Sequence, residues 1–358
     1  MRPSLPTLGE PQKRSSFGSV VVISLILGGA AGGVWWWKQH KGAMSLDKPP
    51  AAAATATAPV AAGPQDASAA PATAAPVAAP AAPAAPANPL LAAGLARASV
   101  KIDGPLETAL TQATDPTVGP AMAQVVTRNL VWWVRVPNEI LRGDTLDVLY
   151  QPRPNEEPLV YAVRFVSSKT GKTHSAYRFL VPGTPYPRYY QPSGEELEER
   201  LENAPLDDYE QVTSLLRDGR GHKGVDFKTP VGSQVKAPFA GVIKRKNWNF
   251  RGNGNCVELE ESSGKHRHAL FLHLSELPKS LQVGARFSQG QVVAQSGNSG
   301  HSFAPHLHYQ LMSPDDRVMD PFESHRTYRR TLSAEQRPSL EAEIRRLDSL
   351  LSTPLAGN

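Results

Sequence analysis

The chain has 358 residues, a formal net charge of +5 and a single cysteine. This length allows about two folded domains. One cysteine excludes an intrachain disulfide framework and a zinc site built from several thiolates. The positive charge is modest and no Lys/Arg run forms a basic arm, so we expect no nucleic-acid partner. Cys256 lies in an alternating run, and we interpret it as an ordinary strand residue.

The first element is an apolar segment at residues 17–37. It is almost free of charge and about as long as a helix that crosses a bilayer. Three consecutive tryptophans, Trp35 to Trp37, suit the membrane interface. We predict an uncleaved transmembrane anchor that follows a cytoplasmic N-terminus at 1–16. A cleaved signal peptide is the alternative, but the apolar run is long and lacks a small-residue cleavage site.

Residues 38–98 are predicted to form a disordered linker. Ala and Pro dominate this stretch, for example in Ala79-Pro80 and Ala82-Pro83. Such a composition cannot bury enough large apolar surface to fold, and its prolines favour extended backbone. A tether of this kind would let a folded domain act at a distance from the membrane.

Residues 99–208 have the pattern of a small α+β domain. A helix is predicted from the spacing of four apolar residues: Met122, Val125, Val126 and Leu130. Short strand-like runs follow at 145–150, 159–166 and 175–181. No residue of this domain has ligand spacing, so its residues alone assign it no role.

Three local features complete the interpretation of this domain. Gly171 marks a hairpin turn between the last two strands, and a short helix is expected to begin at Ser193. Trp132 and Trp133 are interpreted as packing residues.

Residues 209–325 are predicted to form an all-β domain. Many short strand-like runs alternate with Gly and Pro turns, which favours a sandwich or barrel-like arrangement. Residues 326–358 are predicted to form a helical tail, because Leu340, Ile344, Leu347 and Leu351 recur at helical spacing. We expect this helix to pack on the folded head and to have no catalytic role.

Two pairs of residues in the all-β domain have the chemistry of metal ligands. His222 and Asp226 are four apart, which places them on one face of a helix or of a strand, and the flanking glycines favour the strand. His306 and His308 share one face of a strand, with Leu307, Tyr309 and Leu311 on the other. Three protein ligands and one open position are typical of a catalytic zinc site.

A fifth candidate, His273, ends an apolar strand at the rim of the core. Each of these motifs is weak alone, since short histidine patterns arise by chance and a histidine in an apolar strand is usually a core residue. Other histidines have no evident role: His266, His268, His301 and His325.

Taken together and in order, the motifs resemble those of LytM/lysostaphin-type zinc metallopeptidases. The segments that carry the resemblance are His222 to Asp226, Thr229 to Gly232, Ala237 to Ile243, Phe271 to Ser275, Gly297 to Gly300, Pro305 to His308, and Asp320-Pro321. The stretch before His222 is shorter than is usual in that family, and Gln310 stands where many members have Glu.

The resemblance implies a role for each candidate. His222, Asp226 and His308 would hold one zinc ion per catalytic domain, and His306 would be the general base or orient the water. His273 would help to stabilise the oxyanion. The fold implied is an antiparallel β catalytic domain of LytM type, in a mainly β chain.

The upstream domain is similar to the region that precedes the catalytic domain in Gram-negative murein DD-endopeptidases. The similar segments are Leu130 to Trp133, Arg142 to Tyr150, and Tyr189 to Gly194. This implies peptidoglycan as partner and the D-Ala-diaminopimelate cross-link as substrate, rather than a polyglycine bridge. It further implies a single-pass protein of the inner membrane with its catalytic head in the periplasm.

The resemblance also leaves alternatives open. Residues 99–208 are expected to be regulatory by covering the zinc groove, and a regulatory protein partner is possible in such a system. A LytM-type regulator of cell-wall amidases without catalysis of its own is the first alternative function. A zinc peptidase that acts on proteins and a cell-wall binding module are the others.

Overall fold

The computed structural model describes residues 88–216, 218 and 221–353. The predicted cytoplasmic segment at 1–16, the predicted anchor at 17–37 and most of the predicted linker lie outside the described residues. Within the described part of the chain, no helix has the length and apolar character needed to cross a membrane.

The upstream domain is built on an antiparallel sheet of five strands in the order β1-β2-β3-β4-β5. The strands are β1 (Ala96–Lys101), β2 (Thr145–Gln151), β3 (Leu159–Ser167), β4 (Lys172–Phe179) and β5 (Arg188–Tyr190). The helices of this domain are α1 (Pro89–Ala92), α2 (Leu106–Ala113) and α3 (Val118–Leu130). The predicted helix and the three predicted strands are thus present, and Gly171 turns the β3–β4 hairpin with a φ of 64°.

Two details of the predicted upstream region are wrong. Residues 89–98 were assigned to the linker, but they form α1 and the start of β1, since Leu90 and Leu95 are buried beside Leu149. These leucines provide the large apolar surface that the Ala/Pro tract lacks. No helix begins at Ser193, because the chain there forms isolated bridges, one of them between Glu195 and Thr331.

Alternation along the strands gives the upstream sheet two buried faces. One face carries Val148 and Phe165 and packs with α2 and α3. The opposite face carries Leu149 and Tyr177 and packs with the C-terminal helix α6 (Arg337–Leu351), whose Leu347 is fully buried there. The C-terminal helix therefore packs mainly on the upstream sheet.

The second domain is also antiparallel, with eight strands in one sheet in the order β13-β10-β11-β12-β15-β8-β7, and β16 paired to β15. Those strands are β7 (Gln211–Ser214), β8 (Val225–Lys228), β10 (Gly241–Lys246), β11 (Asn255–Glu261), β12 (His268–Leu274), β13 (Arg286–Phe287), β15 (His306–Met312) and β16 (Val318–Met319). Two small sheets pair β9 (Gln234–Lys236) with β14 (Val292–Gln295), and β6 (Arg200–Leu201) with β17 (Thr327–Tyr328). Two short helices, α4 (Phe250–Asn253) and α5 (Pro321–Ser324), complete it.

One core lies beneath the large sheet. Phe227, Phe271, Leu307 and Tyr309 are fully buried in it, together with Val235 of the β9–β14 pair. The prediction that Leu307, Tyr309 and Leu311 face away from the two histidines of β15 is confirmed. Because strand side chains alternate, the opposite face of β8 and β15 is left for polar residues.

Aromatic and ionic contacts join the two domains. Trp132, after α3, makes an edge-to-face contact with Phe322 of α5 at 5.4 Å between ring centroids, which agrees with its interpretation as a packing residue. Arg188 of β5 and Arg200 of β6 both lie over the ring of Tyr209, at 5.0 and 5.1 Å between the guanidinium carbon and the ring centroid. Arg200 also forms a buried two-point ion pair with Glu196 at 2.9 and 2.8 Å.

Candidate metal centre and active site

Three ligand atoms converge on the polar face of the large sheet. His222 Nε2 lies 2.9 Å from His308 Nδ1 and 3.1 Å from Asp226 Oδ1. His308 Nδ1 lies 2.9 Å from the same carboxylate oxygen. The described residues contain one cluster of this type, and it consists of His222, Asp226 and His308.

The pairing of two neighbouring strands explains part of this convergence. In the β8–β15 register, Asp226 lies directly opposite His308, and Lys228 lies opposite His306. His222 reaches the cluster differently. The expectation that it shares a strand with Asp226 is wrong, since β8 begins only at Val225 and His222 precedes it in an irregular segment.

Gly224 provides the space for the His308 imidazole. A Cβ at this position would lie 2.5 Å from the carbonyl oxygen of Tyr309 and 2.8 Å from His308 Nε2. These distances are well below van der Waals contact, so only glycine lets the chain pass against the ring. A glycine is therefore required at position 224 to leave room for the His308 ligand.

Hydrogen bonds on the far side of His222 set its tautomer. The Ser214 hydroxyl donates to Asp218 Oδ2 at 2.7 Å, so its oxygen accepts from His222 Nδ1 at 2.8 Å. A protonated Nδ1 leaves the Nε2 lone pair directed at Asp226 and His308. Outer hydrogen bonds of this type orient histidine ligands in metal sites.

The donor set fits a divalent cation. His308 Nδ1 faces both Asp226 Oδ1 and His222 Nε2, yet one ring proton can satisfy only one of these lone pairs. A cation between the three atoms would satisfy all of them at once. Two imidazole nitrogens and one carboxylate oxygen are ligands that suit zinc.

The electrostatics of Asp226 are consistent with an ionised ligand. Burial by itself raises the pKa of this carboxyl group, but the combined hydrogen-bonding and electrostatic influence of the two adjacent imidazoles outweighs it and holds the pKa well below its usual range. Asp226 is therefore a carboxylate throughout the neutral pH range.

His306 stands next to the cluster and presents a free lone pair to it. Its Nδ1 donates to the carbonyl oxygen of Ala304 at 2.8 Å, while its Nε2 lies 3.8 Å from Asp226 Oδ1. A neutral ring held in this way can accept a proton at Nε2 from a water beside the cluster. This is the arrangement that a general base requires.

His273 reaches the same face through a break in strand alternation. Its φ of 60° lies in the left-handed region, and Phe271 and Leu274, three residues apart, both enter the core on either side of this break. The ring is thereby turned to within 4.8 Å of the His306 ring, between centroids. A left-handed histidine costs conformational energy, which the surrounding contacts offset.

The surroundings of His273 also determine its protonation. Nδ1 donates to the carbonyl oxygen of Ser299 at 2.9 Å, and burial lowers its pKa to about 4. At neutral pH the ring therefore presents an unprotonated Nε2. The predicted oxyanion role requires a hydrogen-bond donor at Nε2. Burial disfavours the protonated ring that would provide this donor, so the role stays a prediction.

The four histidines without an evident role in the sequence lie outside the cluster. His268 bonds Glu258 at 2.6 Å, and His325 bonds the Tyr309 hydroxyl at 2.8 Å. His266 is exposed, and His301 makes a ring contact with Phe303. Cys256 is a buried strand residue whose thiol pKa is raised by burial, as its interpretation as an ordinary strand residue requires.

A cleft of about 580 Å³ leads to the cluster. Asp226, His306 and Phe303 line its catalytic-domain side, and residues of α3, β3 and β4 of the upstream domain line its other side. The side chain of Phe303 is almost fully exposed (92%). The cleft is thus built by both domains.

Sequence reasoning missed three residues of the site. Gly224 and Ser214 position the ligands, and Ser299 holds His273. The glycine between His222 and Asp226 was a visible signal. Ser299 lies within the quoted Gly297 to Gly300 segment, but its contact with His273 is made by its backbone carbonyl and depends on the fold. Ser214 had no signal, because its role depends on a contact with a distant segment.

An open cluster of two histidines and one aspartate, with two further histidines beside it, has the architecture of a zinc hydrolase. Residues 220–321 match the family model described as Peptidase family M23, and the chain therefore carries an M23 domain.

Relatives that share similarity with this domain include a staphylococcal protein and a Vibrio protein. Glycyl-glycine endopeptidase ALE-1 of Staphylococcus capitis is 42% identical over 95 residues, which are 26% of this chain and 25% of that protein. Peptidoglycan DD-endopeptidase ShyC of Vibrio cholerae is 25% identical over 190 residues, 51% of this chain and 42% of that protein. The matches thus span a quarter to less than half of the length of these curated relatives.

Among solved structures, the catalytic domain of lysostaphin from Staphylococcus simulans aligns with a TM-score of 0.27 and 31% identity. This alignment covers 35% of this chain and 90% of that chain.

Proposed function

We propose that the protein is a zinc-dependent endopeptidase that hydrolyses peptide cross-links of peptidoglycan. The observation that carries this proposal is the convergence of His222 Nε2, Asp226 Oδ1 and His308 Nδ1 within 3.1 Å of one another, beside His306 and at the end of an open cleft. M23 relatives whose names state a peptidoglycan endopeptidase activity support the same conclusion.

Zinc, when bound, would lower the pKa of a water molecule to near neutrality and polarise the scissile carbonyl. The residues of the chain supply the rest. His306 Nε2 takes a proton from the attacking water and delivers it to the amide nitrogen as the C–N bond breaks. Asp226 stays ionised beside it and stabilises the imidazolium formed in between.

We infer that the cross-link cleaved is the D-Ala-diaminopimelate bond. The ALE-1 match spans 95 residues, which is no longer than the M23 domain, whereas the ShyC match covers 51% of this chain and so extends beyond residues 220–321. Similarity outside the M23 domain thus favours a DD-endopeptidase over a glycyl-glycine endopeptidase.

The proposed location follows from the N-terminal sequence. We propose that residues 17–37 anchor the chain in the inner membrane by a single pass, that the Ala/Pro-rich tract serves as a tether, and that the catalytic head lies in the periplasm. Proteolysis of intact spheroplasts, followed by blotting of membrane and soluble fractions, tests this. Protection of the head from external protease would contradict the proposed topology.

We also propose that the upstream domain limits entry to the cleft, because it forms one of the cleft walls. A regulatory protein partner could act by moving it. Trp132→Ala removes the edge-to-face contact with Phe322 and is expected to raise turnover of a large cross-linked substrate. Unchanged turnover in a variant that remains folded would exclude this role.

The decisive experiment is digestion of cross-linked muropeptides with zinc present, analysed by mass spectrometry. Wild type is expected to convert dimers into monomers with a mass gain of one water, while His306→Ala and His308→Ala are inactive. His266→Asn is the matched control, since His266 is an exposed histidine away from the cluster with a φ of 45°, which asparagine tolerates.

The alternatives predict other outcomes of that digestion. A regulator of cell-wall amidases without catalysis would leave the dimers intact, and wild type and His308→Ala would stimulate an amidase equally. A peptidase for proteins would cleave an unfolded protein but leave muropeptides intact. A pure binding module would retain peptidoglycan without releasing any product.

A further inference from the structure

The cleft beside the metal cluster is lined by charged side chains of both signs. Five cationic residues contribute to its walls: Arg128, Arg153, Arg178, Arg188 and Lys228. Four of them belong to the upstream domain, and Lys228 belongs to β8 of the M23 domain. Their ion pairs show which charge is available to a ligand.

Two of the arginines are paired with neighbours of the same wall. Arg128 forms a two-point ion pair with Glu157, at 2.8 and 2.5 Å, and Arg153 lies 3.2 Å from Glu156. A guanidinium paired at two points has its planar fork occupied. Arg128 is therefore neutralised within the protein, whereas the Arg153 pair is exposed, with 40% and 66% of its side-chain surfaces accessible, and is weak.

The other two paired cations are tied to the connecting segment. Arg188 is almost fully buried and bonds Asp208 and the Glu210 carbonyl oxygen. Lys228 bonds Glu210 Oε1 at 2.8 Å. Lys228 nevertheless faces the cleft, because Phe227 enters the core and alternation places Lys228 on the side of Asp226.

Arg178 is the exception. No carboxylate among the described residues lies within 4 Å of its guanidinium, although the side chain is half-buried. Its neighbours Tyr177 and Phe179 on β4 pack towards the C-terminal helix, so Arg178 projects from the opposite face, beside Tyr189 and into the cleft. A half-desolvated guanidinium with five donors and no acid partner is suited to a carboxylate ligand.

We propose that Arg178 forms a carboxylate subsite of the cleft and binds the free carboxylate that lies next to the scissile amide of the substrate. This inference rests on the proposed function and specifies its substrate. In a D-Ala-diaminopimelate cross-link, the carbon attached to the amide nitrogen carries a free carboxylate. A glycine bridge has no such group, so Arg178 would distinguish the two kinds of cross-link.

Lys228 has a secondary part in this subsite. It lies two residues beyond Asp226 on the same strand face, about 7 Å along the strand. Its ion pair with Glu210 is substantially exposed, since both side chains retain about 40% of their accessible surface. Exposed pairs of this type are weak, so Lys228 contributes positive potential to the cleft without being firmly neutralised.

The test compares one dimeric muropeptide in two forms, with free diaminopimelate carboxylates and with the same groups amidated. The full chain with zinc is expected to cleave the free form with a kcat/KM about 10- to 100-fold higher than the amidated form, the range for a charge-assisted hydrogen bond. Arg178→Ala is expected to lose this preference through slower cleavage of the free form alone. Arg178→Lys keeps the charge but not the fork, so it should recover part of the preference.

Lys172→Ala is the matched control, because Lys172 is an exposed cation on the same strand, β4, and does not line the cleft. It should keep the full preference for the free form. A second readout is binding measured by calorimetric titration. It uses the His306→Ala variant, which is expected to bind the dimers without cleaving them, and compares it with the double variant that also carries Arg178→Ala. The free form should bind more tightly, and only while Arg178 is present.

The outcomes separate this inference from the proposed function. If wild type cleaves both forms equally, or if Arg178→Ala retains the preference, the subsite is refuted while the endopeptidase stands. If wild type cleaves neither form but binding still discriminates through Arg178, the subsite stands and the endopeptidase is refuted. If neither dimer is cleaved or bound, both are refuted.

Discussion

The substitution Gly224→Ala tests whether the fit of one glycine against His308 controls the metal centre. The new methyl group would lie 2.5 Å from the Tyr309 carbonyl oxygen and 2.8 Å from His308 Nε2, whereas ordinary contact begins at 3.4 Å. Relief therefore requires a displacement of about 0.9 Å at the carbonyl. That carbonyl belongs to β15, which pairs with β8, so the imidazole is the group most free to move.

Movement of the His308 ring would misplace one of the three ligand atoms. A shift of about 1 Å in an active site can cost about 100-fold in rate, and loss of ligand support typically costs about 10- to 100-fold in metal affinity. We expect zinc affinity and kcat/KM to fall by factors in these ranges. Overpacking should cost about 1–3 kcal/mol of folding stability.

Competition with a chromophoric chelator measures the zinc affinity, muropeptide cleavage gives kcat/KM, and thermal melting reports stability. Gly264→Ala is the control, since no atom lies within 4 Å of a Cβ at that position. Wild-type zinc affinity in a folded Gly224→Ala variant would show that the His308 ring does not depend on this glycine.

Three further predictions concern the support of the site. Ser214→Ala removes the acceptor for His222 Nδ1 and should weaken zinc binding about 10- to 100-fold. The same chelator competition measures this affinity. Ser313→Ala, which changes an exposed serine, is the control and should leave zinc affinity unchanged. Removal of metal by a chelator should abolish cleavage and lower the melting temperature, and zinc should restore both; full activity without metal would exclude a metallopeptidase. Burial raises the pKa of Glu198 from 4.5 to about 8, so the folded state holds this proton more tightly than the unfolded state. Its contribution to stability is complete below pH 4.5 and declines as the pH rises through about 8. Thermal melts across this range should show less pH dependence for Glu198→Gln, and an identical profile would refute this assignment.

Local patterns determined much of the fold. A continuous apolar run located β12, in which successive residues are buried. Alternating or aliphatic runs located β2, β3, β11 and β15, because a strand with one buried face must alternate. In β15 the same pattern also predicted which side chains enter the core and that His306 and His308 lie on the opposite face. Helical spacing located α3 and α6 for the corresponding reason.

The elements that local patterns missed depend on distant packing. α1 is a single turn whose Leu90 is buried only because the C-terminal helix covers the same face of the upstream sheet. The expected helix at Ser193 is absent because that segment pairs with the chain near Thr331. In both cases the partner lies far away in the sequence, and spacing within the segment contains no information about it.

In the candidate site, too, the sequence predicted some features and the tertiary structure determined the others. The order and spacing of His222, Asp226, His273, His306 and His308 in the sequence were enough to propose a zinc peptidase, since few other chemistries need these residue types together. Their convergence depends on tertiary structure. Strand pairing places Asp226 opposite His308, and the left-handed backbone conformation of His273 turns its side chain towards them. The tautomer of His222 depends on Ser214 of a neighbouring strand.

Arg178 marks the limit of what the sequence by itself determined. It occupies a strand of another domain, and nothing in its local pattern distinguishes it from other surface cations. Only the packing of the upstream domain against the M23 domain places it in the cleft, and only the ion pairs of the finished structure show that it has no acid partner among the described residues. The sequence determined which groups can bind zinc, and the tertiary structure decided which groups meet, because burial and pairing are properties of contacts between distant segments.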